Sequence, residues 1–100
     1  YSKDVAYWMC EALEKSPPNY PINLGSGSGV TIKDLAIKLR DIINKDIELV
    51  FDSEMPTGDP CRLLDIERAK ETLNYKIKTS LEEGLLDTIE WYRENIGEPK

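Results

Sequence analysis

The sequence predicts a small mixed α/β domain of about four helices and a few short strands. Three patterns carry that expectation. Apolar residues recur at helical spacing over four stretches, short β-branched runs lie between them, and Gly, Pro, Ser and Asn clusters separate the two kinds of segment. A chain of 100 residues can bury one modest core, so a single domain is expected.

The elements follow in order. Asp4 can cap a helix running to about Lys15, with Ala6, Met9, Cys10 and Leu13 on one inward face. On that stripe Cys10 reads as a small core residue rather than a nucleophile. Ser16-Pro17-Pro18-Asn19 ends the helix. Tyr20 to Leu24 reads as a strand, followed by the turn Gly25-Ser26-Gly27-Ser28-Gly29. Thr31 with Asp34 is a capping pattern, and Ile32, Leu35, Ala36, Leu39, Ile42 and Ile43 form the apolar stripe of the helix it opens. Ile47 to Phe51 is β-branched enough for a strand, and Asp52 to Pro60 is a loop. Arg62 to Asp65 is expected to be extended, and Ile66 to Leu73 a short helix with Ile66, Ala69 and Leu73 inward. Ser80 and Glu83 make a capping box for the last helix, whose inner face is Leu81, Leu85, Thr88, Ile89 and Tyr92. Gly97 and Pro99 end it.

Composition narrows the function classes. The hydrophobic share of 40% and charged share of 32% describe a globular chain rather than a disordered one. Net charge is −6 and the 13 basic residues form no stripe, which argues against nucleic acid as a partner. No apolar run approaches a membrane span. Cys10 and Cys61 are far apart and lie in no C-x-x-C motif, so a reduced, cytoplasmic setting is expected. With no histidine and no cysteine cluster, no transition-metal site is expected. The chain opens on Tyr1 rather than methionine, which predicts a piece of a longer protein and leaves no targeting signal to read.

A strand, a glycine-rich turn and a helix form the setting of a dinucleotide-binding finger, where backbone must approach a pyrophosphate. The spacing fails. Counted from Gly25 the third glycine falls on Val30, and counted from Gly27 it falls on Ile32. No P-loop pattern is present either, so the turn reads as the lead into a capped helix rather than as a mononucleotide site. Short-chain dehydrogenase chemistry needs a tyrosine with a lysine four residues on, which lowers the phenol's pKa. The five tyrosines are followed at that distance by Val5, Glu11, Leu24, Thr79 and Ile96, so the dyad is absent and no catalytic residue is expected. Glu82 and Glu83 start a helix, where the dipole favours them. The loop Met55-Pro56-Thr57-Gly58-Asp59-Pro60-Cys61-Arg62 is polar and stiffened by prolines. Arg62 is its candidate ligand contact, because a guanidinium can hold phosphate oxygens in a bidentate way. On physics alone, an exposed ion pair with Asp59 or Asp65 is the simpler reading.

Six pieces in order resemble the NAD-dependent epimerase/dehydratase family, the extended short-chain dehydrogenase/reductases. They are Asp4-Val5-Ala6, Ile22-Asn23-Leu24-Gly25-Ser26-Gly27, Val30-Thr31-Ile32 with Leu35-Ala36, Pro56 to Asp59 with Arg62-Leu63-Leu64-Asp65, Leu73-Asn74-Tyr75, and Ser80 to Leu85 with Trp91-Tyr92. The loop is similar to that of GDP-L-fucose synthase-like members. Met55 and Cys61 stand where such members often carry a basic residue, and Asn74 replaces a common glycine. The resemblance implies the C-terminal, nucleotide-sugar-binding lobe over 1–100, with the N-terminal Rossmann domain outside this chain. It implies substrate contacts at Asp59 and Arg62 near the nucleotide or diphosphate, and no cofactor bound by this segment. NAD or NADP would belong to the parent enzyme, whose Rossmann domain would be this chain's partner. In that setting Tyr1, Tyr7 and Trp8 are expected as exposed apolar surface. The competing expectation is a stand-alone interaction domain that kept the fold and lost the ligand.

Overall fold

The computed structural model describes residues 1–97. Four helices form: α1 (Ser2–Lys15), α2 (Ile32–Ile43), α3 (Glu67–Leu73) and α4 (Leu81–Asn95). They fall into two compact units, one made of Tyr1–Gly29 and Cys61–Ser80, the other of Val30–Pro60 and the residues from Leu81 onward. Helix α1 packs with α3 in the first unit, and α2 packs with α4 in the second.

The first unit holds the buried apolar residues: Trp8, Ile66, Ala69 and Leu73. The α3 face matches the sequence expectation at all three positions, because residues three and four apart share a helix face. Helix α1 does not match. It starts at Ser2, so Asp4 lies in its first turn rather than at its cap, and its carboxylate accepts a 2.8 Å hydrogen bond from the Thr79 hydroxyl. Its single buried residue is Trp8. The expected inner stripe points outward, with Met9 at 59% and Leu13 at 86% exposure, and Cys10 is exposed as well. One indole covers as much of α3 as several small side chains would, so the helix turns its tryptophan inward. Of the three aromatics expected at the surface, Tyr1 and Tyr7 are exposed and Trp8 is not.

Asn74 ends α3 in the left-handed region (φ 52°, ψ 41°), a conformation asparagine accepts more readily than most residues. The reversal brings Tyr75 against Trp8, with ring centroids 5.0 Å apart and planes at 61°. Tyr7 also meets the indole edge-on, at 5.0 Å, and the Lys78 ammonium sits 3.4 Å from the Tyr7 ring centre.

In the second unit, Thr31 caps α2 as its sequence pattern predicts: its hydroxyl accepts the Asp34 backbone N–H at 3.0 Å. Leu35, Ala36, Leu39 and Ile42 are half-buried, whereas the stripe's two ends, Ile32 and Ile43, are exposed. On α4 the half-buried residues include Leu85 and Ile89, while Leu81 and Tyr92 are exposed. Gly84 is the buried position, which periodicity counted over large side chains overlooks. The Thr88 hydroxyl donates back to the Gly84 carbonyl at 2.6 Å. Gly97 takes a positive φ of 97° just beyond the helix, and Pro99 lies outside the described residues. Lys38 of α2 pairs with Glu82 of α4. The hydrogen bond from Lys38, then the backbone N–H of Glu82 itself, holds that carboxyl below its usual range, and the same contact raises the Lys38 pKa.

Replacing Thr31 by alanine removes the cap and leaves the Asp34 N–H to water. The expected loss is about 1 kcal/mol. Faster exchange of the Asp34 amide, with Thr31→Ser near wild type, is the signature. Equal exchange in all three proteins would show that the cap contributes nothing.

The expected strands are corrected. No strand forms among the described residues, so the architecture is helical rather than mixed. A strand exists only through ladder bonds to a neighbour, and β-branched composition alone does not supply one. Ile47 donates its N–H back to Asn44 in a 3.2 Å turn bond, and of this run only Leu49 is half-buried, with Val50 82% exposed. Tyr20–Leu24 does find a neighbour in the first unit. It lies beside the 62–68 segment in the opposite sense, tied by side chains instead of a ladder. Arg68 Nη1 donates to the Pro21 carbonyl at 3.2 Å, and Asn23 Nδ2 donates to the Asp65 carbonyl at 3.3 Å.

Candidate functional site

The proline-stiffened loop begins with an aspartate turn. The Asp52 carboxylate accepts the Glu54 N–H at 2.9 Å, which commits the chain to reverse there. Asp59 follows in the second unit and is exposed. Arg62 belongs to the first unit, is also exposed, and opens the segment that leads into α3. Asp65 is occupied locally: its carboxylate accepts the Glu67 N–H at 3.0 Å and so starts α3. Sequence reading treated Asp65 only as a possible ion partner. An Asp two residues before the first helical turn was the signal for this role.

The Gly/Ser turn is built against the segment carrying Arg62. A Cβ on Gly25 would lie 3.3 Å from Leu64 Cδ1, and one on Gly29 would lie 3.0 Å from Leu63 Cδ2. Gly27 has φ +73°, and a Cβ there would lie 2.9 Å from Ile66 Cδ1. The Tyr75 hydroxyl donates to the Gly25 carbonyl at 2.7 Å and pins the turn from α3's C-terminal side. Periodicity could not have revealed this bond, since its partners are 50 residues apart. Beside the turn lies an open cleft of about 360 Å³ whose walls include Ser26, Gly27, Asp65, Lys70, Tyr75 and Lys76. Its cations and carboxylates are mixed, and Lys70 pairs with Glu67 at 3.3 Å. Among the described residues, no cluster of His, Cys, Asp and Glu could hold a metal ion, and no helix is long and apolar enough to cross a membrane.

The described site is thus an exposed arginine at the head of a segment whose Leu63, Leu64 and Ile66 pack against the glycine turn. The chain is 43% identical to the probable GDP-L-fucose synthase 1 of Oryza sativa subsp. japonica over 75% of its own length and 23% of the relative's. It is 38% identical to the GDP-L-fucose synthase of Escherichia coli (strain K12), over 83% of this chain and 26% of that one. UDP-glucuronic acid decarboxylase 6 of Arabidopsis thaliana is 35% identical over 100% of this chain and 29% of the relative. No family model matches the chain, and no solved structure matches it. The chain spans about a quarter of the length of the curated relatives it matches and corresponds to a fragment of such an enzyme. It belongs to the NAD-dependent epimerase/dehydratase family.

Proposed function

We propose that this chain is the C-terminal, substrate-binding part of an NAD(P)-dependent nucleotide-sugar epimerase, dehydratase or reductase, and that it performs no catalysis by itself. One observation carries the reading. This chain aligns over 75 residues with a relative named for GDP-L-fucose and over 100 with a relative named for UDP-glucuronic acid. Those two compounds differ in base and in sugar and share the ribose and the diphosphate. A segment common to both groups is best explained by contact with the shared part.

Arg62 is the proposed diphosphate contact, through its fork of N–H donors, and Asp59 is the proposed contact near the nucleotide. The sequence has no Tyr-x-x-x-Lys pair, which supports the reading that proton transfer and the dinucleotide belong to the Rossmann part of the parent enzyme. In a heteronuclear NMR titration with GDP- and UDP-sugars, amides over 55–62 are expected to shift at millimolar ligand. Arg62→Ala is expected to weaken binding by on the order of ten- to a hundredfold, the loss of a charge-assisted hydrogen bond. If neither those amides nor Arg62 respond, the site is misassigned and the interaction-domain reading takes its place.

A further inference from the structure

We propose that the Gly25–Gly29 turn is a positioning element for Arg62, bracing the Leu63–Ile66 segment so that the guanidinium is held ready for the diphosphate. The proposal rests on Arg62 being the phosphate contact.

The observations are these. Glycines occupy every second position, 25, 27 and 29, and all three press on the same short stretch, meeting Leu64, Ile66 and Leu63. With no side chain at any of the three, the turn can lie close against that stretch. The serines between them bond to each other instead: Ser26 Oγ donates to the Ser28 carbonyl at 2.7 Å and accepts the Ser28 N–H at 3.2 Å. The spacing that ruled out a dinucleotide finger thus has a positive explanation. These glycines make room for protein rather than for phosphate.

Arg62 needs such a brace. It lies outside every helix, and Leu63 and Leu64 beside it are 55% and 48% exposed, so the segment buries little of its own. It is held at Ile66, 7% exposed, and by the hydrogen bond from the Asn23 side chain to the Asp65 carbonyl. Gly27 is the position that tests the brace. Leu63 can swing away from a methyl on residue 29, but Ile66 is buried and Gly27 has a positive φ, so a methyl there strains the turn and forces Ile66 to shift.

The experiment uses this chain, ¹⁵N-labelled, with GDP as the probe. Two readouts are taken for each variant: the fast-timescale order of the 62–64 amides, and the GDP dissociation constant. Gly27→Ala is expected to loosen those amides and weaken GDP binding by on the order of tenfold, because a misplaced contact loses its geometry. Gly27→Ala/Ile66→Val removes the clashing methyl and is expected to recover part of both. Unchanged order and affinity in Gly27→Ala, while Arg62→Ala still weakens GDP, would overturn the positioning role and leave the site standing. No effect of Arg62→Ala would remove the underlying site and this proposal with it. Should Gly27→Ala lose its folded spectrum, Tyr75→Phe is read instead. That variant deletes only the bond to the Gly25 carbonyl, and unchanged order at 62–64 in it would likewise overturn the proposal.

Discussion

Leu73→Ala is expected to lower the stability of the first unit by about 2–5 kcal/mol, the range for large-to-small changes in a closed core. Leu73 is 1% exposed and is the largest side chain fully buried among the described residues. It is the last residue of α3, immediately before the left-handed Asn74, so the backbone around it is committed to a reversal and cannot easily collapse into the space a truncation leaves. A loss of that size is a large part of the roughly 5–15 kcal/mol that holds a domain of this length together. Leu13→Ala is the matched control: the same atoms are removed from the same unit at a side chain 86% exposed. Its expected effect is within about 0.5 kcal/mol. Urea denaturation followed by circular dichroism separates the two. Equal midpoints for both variants would mean that Leu73 is not the core residue described above.

Trp8 gives the second large effect, and a pair of substitutions separates its parts. Trp8→Ala is expected to cost about 3–5 kcal/mol, because the indole is the whole buried contribution of α1 and is flanked by Tyr7 and Tyr75. The same side chain carries a liability. Its Nε1 is buried and has no hydrogen-bond partner among the described residues. A buried N–H without a partner costs about 1–3 kcal/mol. Trp8→Phe loses some contact area and also loses that unpaired donor. It is therefore expected to lie within about 1 kcal/mol of the wild-type protein. Finding Trp8→Phe as damaging as Trp8→Ala would mean that the indole N–H is satisfied in solution, and the account of this core would need a partner for it.

How much of this was legible beforehand varies by element. The helices of the 31–43 and 66–73 regions were readable because their signals are local: a capping hydroxyl three residues before its N–H, and apolar residues spaced by one turn. Helix α1 was misread because its stripe of moderate hydrophobes outnumbers one tryptophan, and counting residues ignores how much surface each covers. The strands were misread because strand formation depends on a neighbour, which composition over 47–51 does not report. At the candidate site, Arg62 could be nominated from its loop and from family resemblance. The Tyr75 bond to Gly25 and the three glycine contacts join distant stretches and had no local signal.

Taken alone, then, the sequence determined the family, the helix count, the Thr31 cap, and the absence of a dinucleotide fingerprint and of a Tyr-x-x-x-Lys pair. Each of these is set by residues within a few positions of one another, or by an ordered pattern along the chain. Tertiary structure decided which face of α1 is inside, that the β-branched runs form no ladder, and that the glycine turn is filled by Leu63, Leu64 and Ile66. These outcomes depend on competition between surfaces far apart in sequence. The winner there is the arrangement that removes most apolar area from water, and that total exists only once the chain has folded.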